Sequence, residues 1–171
     1  MFWKTVWRTV SQLSAGHRIS RWIAFEPNLR NFSFIPTSKN YKDIEMTLVP
    51  CGLSNVVAEF SFSSNGASSK AGVGLGSHSV CRVLPFVDMY PNTIGDFVKL
   101  DIEGGELRAL KGVVKLLKRC RLTVAMSLYH KWDDIPVLIQ LLGYVMPGGD
   151  FYLRQKAFSC LYTVLYYISA K

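Results

Sequence analysis

Short, largely apolar runs, each followed by a polar residue or a proline, are the feature that most constrains how this chain can fold. Four such runs occur, at residues 22–25, 44–49, 97–100 and 122–128. Runs of this length are typical of parallel strands that are buried on both faces of a sheet. Segments with helical periodicity separate or follow them, so the predicted class is α/β, with helices on both faces of the sheet.

Further elements are predicted from periodicity and from turn residues. Helices are expected over residues 2–14, over residues 28–34 with Asn28 as the cap, from Glu103 onward, and over residues 136–142. Strands are expected over residues 56–62, as a half-buried edge, and over residues 151–154 and 163–168, as a closing antiparallel hairpin. The stretch 61–79, rich in Ser and Gly, is predicted to be a mobile loop.

Length and composition favour one domain over residues 1–171, because 49% of the residues are hydrophobic and can form a single core. The net charge of +8 is spread along the chain, so a solvated basic surface is preferred and no nucleic-acid partner is predicted. RNA binding or modification stays the less favoured alternative. The last apolar stretch, 157–170, is shorter than the roughly 20 residues that a membrane span needs, so no span is predicted.

The four cysteines, Cys51, Cys81, Cys120 and Cys160, are widely spaced and form no C-x-x-C pair. This pattern favours reduced thiols in a cytoplasmic protein and predicts no disulfide among them.

The candidate site follows from a rule of open α/β sheets, in which the ligand lies beyond the carboxyl ends of the strands. Glu26 ends the first run and could accept hydrogen bonds from the two hydroxyls of a ribose, or simply lead into a helix. After the second run, Gly52 would let a flat ring approach the backbone, although a plain turn explains this glycine equally well.

The third and fourth runs end at Asp101 and just before His130. Asp101 and His130 are predicted to follow adjacent strands and could form an acid and base pair facing one pocket, although a single histidine is more often structural. Glu103 and Glu106 are explained equally well as acidic partners of a helix dipole in the first helical turn.

Ordered sequence blocks then resemble one family. Six segments resemble successive blocks of the FkbM methyltransferases: "IAFEPN", "GLSN", "FSFSSNGASSK", "DFVKLDIEGGELRALKG", "SLYHKWDDIPVLIQLLGY" and "FYLRQKAFSCLYTVLYYI". The resemblance covers residues 22–168. It implies a class I methyltransferase fold with a Rossmann-like sheet, S-adenosylmethionine as the methyl donor, and transfer to a hydroxyl oxygen of a small molecule or glycan.

The resemblance also implies roles for individual residues. Glu26, with Asn28 beside it, would hold the cofactor ribose, and Gly52 and Leu53 would line the adenine. Asp101, Glu103 and His130 would face the methyl-transfer site, where Asp101 or His130 could remove the acceptor proton. The two acids and the histidine could equally hold a divalent cation, although no metal is predicted from the residues.

One expected block of the family is not found in the sequence. Members of the family that this chain resembles start with a strand and a glycine loop of the form "DxGAxxGDT". Residues 2–14 resemble the helix that follows that loop. The chain is therefore expected to lack the first strand and the glycine-rich cofactor loop. The alternative function is accordingly an inactive, truncated remnant or an interaction module.

Overall fold

The computed structural model describes residues 19–28, 44–65, 68–71, 78–155 and 163–168. The helices predicted over residues 2–14 and 28–34 lie outside these residues, apart from Asn28 itself. The chain divides into two compact units, the first comprising Met1–Gly52 and Glu59–Arg82 and the second comprising Leu53–Ala58 and Val83–Lys171. Each unit is described by itself below.

Two parallel strands open the described part of the first unit. Strand β1 (Arg21–Phe25) pairs with β2 (Glu45–Val49), and the pairing places Phe25 opposite Val49. The Glu26 N–H donates to the Val49 carbonyl at 3.1 Å, so the ladder continues one residue beyond β1. The parallel strands predicted over residues 22–25 and 44–49 are confirmed.

A second sheet has the strand order β3 (Gly52–Leu53), β6 (His78–Leu84), β4 (Ala58–Asn65) and β5 (Ser68–Ala71). Because β4 has hydrogen-bonded neighbours on both sides, the prediction of an edge strand over residues 56–62 is wrong. The prediction of a mobile loop over residues 61–79 is also wrong for its described part, all of which is strand. Backbone pairing does not require large side chains, so a Ser-rich composition does not prevent a sheet.

The third sheet lies in the second unit and has the order β7 (Phe97–Leu100), β8 (Thr123–Ser127), β10 (Thr163–Ile168) and β9 (Asp150–Gln155). β8 runs parallel to β7, whereas β10 is antiparallel to both β8 and β9. The side chains of β8 are buried from Val124 to Ser127, as expected for an interior strand.

Four helices accompany these strands in the described residues: α1 (Phe86–Met89), α2 (Glu106–Gly112), α3 (Val114–Arg119) and α4 (Asp134–Val145). Their apolar faces supply much of the core of the second unit through Leu110, Leu117, Leu138 and Leu142. The helix predicted over residues 136–142 is confirmed as the longer α4.

The helix predicted to start at Glu103 begins three residues later. Glu103 and Gly104 have φ angles of +54° and +93°, and this left-handed backbone cannot belong to a right-handed helix. The same segment is interrupted again at Val113, which ends α2 and precedes α3. Glu103 therefore lies before the first turn of α2, whereas Glu106 lies within that turn.

The end of α2 lies against the loop after β3. Gly112 is buried, and a Cβ atom built on it would lie 2.0 Å from the carbonyl oxygen of Ser54. Ser54 is buried as well, and its N–H donates to the Leu84 carbonyl at 3.0 Å. Residue 112 therefore has no room for any side chain.

Cys51, Cys81 and Cys120 are free thiols, whereas Cys160 lies outside the described residues. Burial raises the thiol pKa of both Cys51 and Cys81. In the part of the chain that the structure describes, no helix combines the length and apolar character that crossing a membrane requires.

Candidate active site

Two adjacent parallel strands bring the predicted acid and histidine together. Asp101 directly follows β7, and His130 follows β8 by three residues. Because parallel neighbours end at the same edge of a sheet, the two side chains meet there, with His130 Nε2 lying 3.9 Å from Asp101 Oδ1. The geometry expected from the sequence is present, and the catalytic roles of these residues stay a prediction.

Asp101 is held by three hydrogen-bond donors. Lys99 Nζ lies 3.0 Å from Asp101 Oδ2, and Ser127 Oγ and Tyr129 Oη donate to Oδ1 at 2.6 and 3.3 Å. Burial alone would raise the pKa of Asp101, but the Lys99 ammonium and the bond from Ser127 outweigh it and lower that pKa. Asp101 is therefore a fixed anion at the carboxyl end of the sheet.

The pKa of Tyr129 shifts in the opposite direction to that of Asp101. Burial and the neighbouring Asp101 charge raise the pKa of the Tyr129 phenol to about 12. Tyr129 therefore stays protonated at neutral pH and can donate to the carboxylate.

Glu103 extends the acidic edge through its unusual backbone. Its left-handed conformation is uncommon for a residue with a side chain, and such conformations cluster at functional sites. The Glu103 side chain is 33% exposed, and Oε2 lies 3.6 Å from His130 Nε2. The turn thus places a partly accessible carboxylate beside the buried imidazole.

Glu106, for which the sequence left a helix-dipole role open, lies next to His130 in the structure. It is fully buried, and its Oε1 lies 2.8 Å from His130 Nδ1 and accepts the Ile102 N–H at 2.8 Å. Burial by itself lowers the pKa of His130, but the bond to Glu106 and the surrounding carboxylate charges raise it overall. An acid in the first turn of a helix is compatible with a dipole role or with a role in the site, so the sequence could not distinguish them.

Asp134 lies in the same group, although the sequence did not single it out. It is the first residue of α4, is 4% exposed, and accepts the Lys131 N–H at 2.8 Å. Burial and the charge of Glu106 raise the pKa of the Asp134 carboxyl. The "HKWDD" segment carries this acid, but its acidic pair also fits an ordinary helix start.

The predicted cofactor residues lie elsewhere in the chain. Glu26 is buried just after β1, and its Oε1 accepts the N–H of Asn28 at 2.8 Å. Gly52 and Leu53 form β3. Glu26, Asn28 and Gly52 belong to the first unit, while Asp101 and His130 belong to the second. Whether these residues share one pocket stays a prediction.

Comparison with known proteins adds an independent observation. The model of the methyltransferase FkbM domain matches residues 86–146. This segment is therefore similar to the FkbM methyltransferase domain. The resemblance noted in the sequence blocks is confirmed for the segment that contains β7, β8 and α4.

The fold of this chain also matches a solved structure. The crystal structure of methyltransferase FkbM from Methylobacillus flagellatus KT matches with a TM-score of 0.69 at 23% sequence identity. The match covers 94% of this chain and 40% of that one. The α/β fold is thus shared, and this chain spans well under half of the length of that relative. No curated protein has significant sequence similarity to this chain.

The FkbM segment contains every member of the acid and histidine cluster around the ends of β7 and β8. These members are Asp101, Glu103, Glu106, His130 and Asp134. Glu26, Asn28, Gly52 and Leu53 precede the matched segment. The family match therefore supports the cluster more directly than the predicted cofactor residues.

One subset of the cluster has the geometry of metal ligands. Each of Glu106, His130 and Asp134 offers a ligand atom, and these atoms lie within 4.8 Å of one another. The sequence suggested Asp101, Glu103 and His130 as the alternative cation ligands. The structure instead groups His130 with the two acids that the sequence had not assigned to the site.

Proposed function

We propose that this chain is part of an S-adenosylmethionine-dependent methyltransferase that methylates a hydroxyl oxygen of a small molecule or glycan. The observation that carries the proposal is the FkbM domain match over residues 86–146, which contains the acid and histidine cluster. The methyl donor and the type of acceptor come from the sequence resemblance to the family.

Methyl transfer from S-adenosylmethionine to a hydroxyl requires two contributions from the protein. Bound S-adenosylmethionine would supply an electrophilic methyl group to the acceptor oxygen, and breaking of its carbon–sulfur bond would release it as a neutral thioether. The hydroxyl proton must pass to a base as the new carbon–oxygen bond forms. The protein must therefore align the acceptor with the methyl group and supply a proton acceptor.

Glu103 is the proposed proton acceptor. Its carboxylate is partly accessible and lies at the edge of the sheet beside His130, which can orient it. Asp101 is a weaker base, because the hydrogen bonds and the positive charge that lower its pKa also stabilise its ionised form. Asp101 is instead proposed to line the site as a carboxylate held in place by its hydrogen bonds.

Glu26 is the proposed ligand of the cofactor ribose. A buried carboxylate after a parallel strand can accept both ribose hydroxyls, as occurs in other nucleotide-binding α/β folds. Gly52 and Leu53, which follow β2 after Pro50 and Cys51, are proposed to line the adenine.

Isothermal titration with S-adenosylmethionine tests the proposal on the folded chain. Glu26→Gln should weaken binding by at least about tenfold, because a charged acceptor of ribose hydroxyls is lost. Glu45→Gln is the matched control, since the side chain of Glu45 is 71% exposed, and its affinity should equal that of the wild type. Glu103→Gln should also bind normally while losing transfer of a labelled methyl group to hydroxyl acceptors.

Each readout can overturn one part of the proposal. A folded wild-type protein that does not bind S-adenosylmethionine would favour the non-catalytic remnant. Equal affinities for Glu26→Gln and the wild type would remove Glu26 from the cofactor site. Undiminished methyl transfer by Glu103→Gln would remove Glu103 from the role of proton acceptor.

A further inference from the structure

We propose that Glu106, His130 and Asp134 bind one divalent metal ion. The three residues come from α2, the loop after β8 and the start of α4, so three separate elements of the second unit converge on one point. The inference rests on their geometry and burial and does not depend on the identity of the methyl donor or acceptor.

The distances fit ligands of a common ion. His130 Nδ1 and Glu106 Oε1 are 2.8 Å apart, and the set including Asp134 spans at most 4.8 Å. Two ligands at about 2.1 Å from an ion and at right angles to each other lie roughly 3 Å apart. Small side-chain movements toward the centre would complete the coordination.

Burial provides the second observation. Glu106 is 0% exposed, Asp134 is 4% exposed and the side chain of His130 is 7% exposed. Glu106 Oε2 and His130 Nε2 are buried atoms without a hydrogen-bond partner. A buried carboxylate oxygen that lacks a partner is costly, and a bound cation would compensate for it.

Charge balance points to a divalent ion. Two carboxylates and a neutral imidazole carry a charge of −2, which one divalent cation neutralises. The ammonium of Lys99 pairs with Asp101 at 3.0 Å. The charge of Lys131 also acts on Asp134, but Lys131 is exposed to solvent, where water screens that charge.

The donor set indicates the class of metal. One imidazole nitrogen and two carboxylate oxygens suit Mn²⁺, Fe²⁺ or Zn²⁺, and no cysteine belongs to this group. If Nδ1 binds the ion, the protonated Nε2 faces Glu103 Oε2 at 3.6 Å, which is the arrangement of a carboxylate that orients a metal-bound histidine. Three protein ligands would also leave positions for water or for an acceptor hydroxyl.

Mn²⁺ is the best probe, because carboxylates and imidazole bind it while the free thiols of this chain do not favour it. The metal-free protein is titrated with Mn²⁺, and the electron paramagnetic resonance signal of the unbound ion reports how much remains free. The wild type should bind one ion per chain. Asp134→Asn should weaken binding by at least about tenfold, in line with the loss of a direct ligand.

Asp133→Asn is the matched control, because Asp133 is adjacent in sequence but does not belong to the ligand group. It should bind Mn²⁺ like the wild type. Asp134→Asn keeps an oxygen that can accept the Lys131 N–H, so its metal-free form should melt within a few degrees of the metal-free wild type. Glu106→Gln should lose binding as well.

Three outcomes would overturn the metal site: no stoichiometric binding by the wild type, equal affinities for Asp133→Asn and Asp134→Asn, or retention of binding by Glu106→Gln. The assay contains no S-adenosylmethionine. Failure of the metal site is therefore distinguishable from failure of the proposed methyltransferase function, which the titration with the cofactor tests separately.

Discussion

Replacing Gly112 with alanine should destabilise the second unit, although alanine is the better helix former. The added methyl carbon would lie 2.0 Å from the Ser54 oxygen and 2.8 Å from the Ser54 carbonyl carbon. Ordinary contacts of this kind exceed 3.4 Å, so α2 and the loop at Ser54 must separate by more than 1 Å. The clash involves backbone atoms, which cannot rotate away as the end of a side chain can.

The size of the effect follows from two opposing contributions. Overpacking a buried site costs about 1–3 kcal/mol, and a backbone clash this short belongs at the upper end of that range. The gain in helix propensity from Gly to Ala offsets about 1 kcal/mol. The expected net loss is about 2 kcal/mol, or a fall in melting temperature of roughly 4–8 °C for a chain of this size.

Thermal unfolding followed by far-ultraviolet circular dichroism measures this loss. Gly143→Ala is the matched control, because Gly143 lies inside α4 and its added Cβ would be 3.8 Å from the Phe151 ring, an ordinary contact. That variant should be as stable as the wild type or more stable. If Gly112→Ala melts at or above the wild-type temperature, the close approach of α2 to Ser54 is wrong.

The remaining predictions concern buried polar groups. Ser127→Ala should cost about 2 kcal/mol at neutral pH, because it removes a buried donor to the ionised Asp101. Because the folded pKa of Asp101 is lowered, the stabilising effect of its carboxylate is present above the unfolded pKa and is lost as pH falls through the folded pKa. The denaturant melts of Ser127→Ala and of the wild type should therefore converge in acid. Cys51 and Cys81 should react with iodoacetamide more slowly than free cysteine at pH 8, because burial raises their thiol pKa; equal rates by mass spectrometry would contradict this.

The parallel strands were the most predictable part of the fold. Residues 22–25 and 97–100 have an apolar pattern that few other environments allow, and both form strands in the structure. The adjacency of Asp101 and His130 followed from the same pattern, because parallel neighbours end at one edge of the sheet. Local hydrophobic patterning thus identified the elements that determine this part of the site.

Other features depended on contacts that no local pattern encodes. The strands within the Ser-rich stretch 61–79 are specified by cross-strand pairing rather than by composition. Glu106 has the position of an ordinary helix-start acid, and only its burial against His130 reveals its place in the site. The left-handed backbone at Glu103 was likewise hidden, because such conformations are rare for any residue other than glycine.

The strand order of the third sheet has a consequence for the order of synthesis. β10 follows β9 along the chain, but in the sheet it lies between β8 and β9. β8 therefore lacks a neighbour on one side until residues 163–168 have left the ribosome, and β9 has no described partner before then. Until then, the buried strand at residues 123–127 must not pair with another segment. Emergence of β10 is therefore the step that commits this sheet to its native topology.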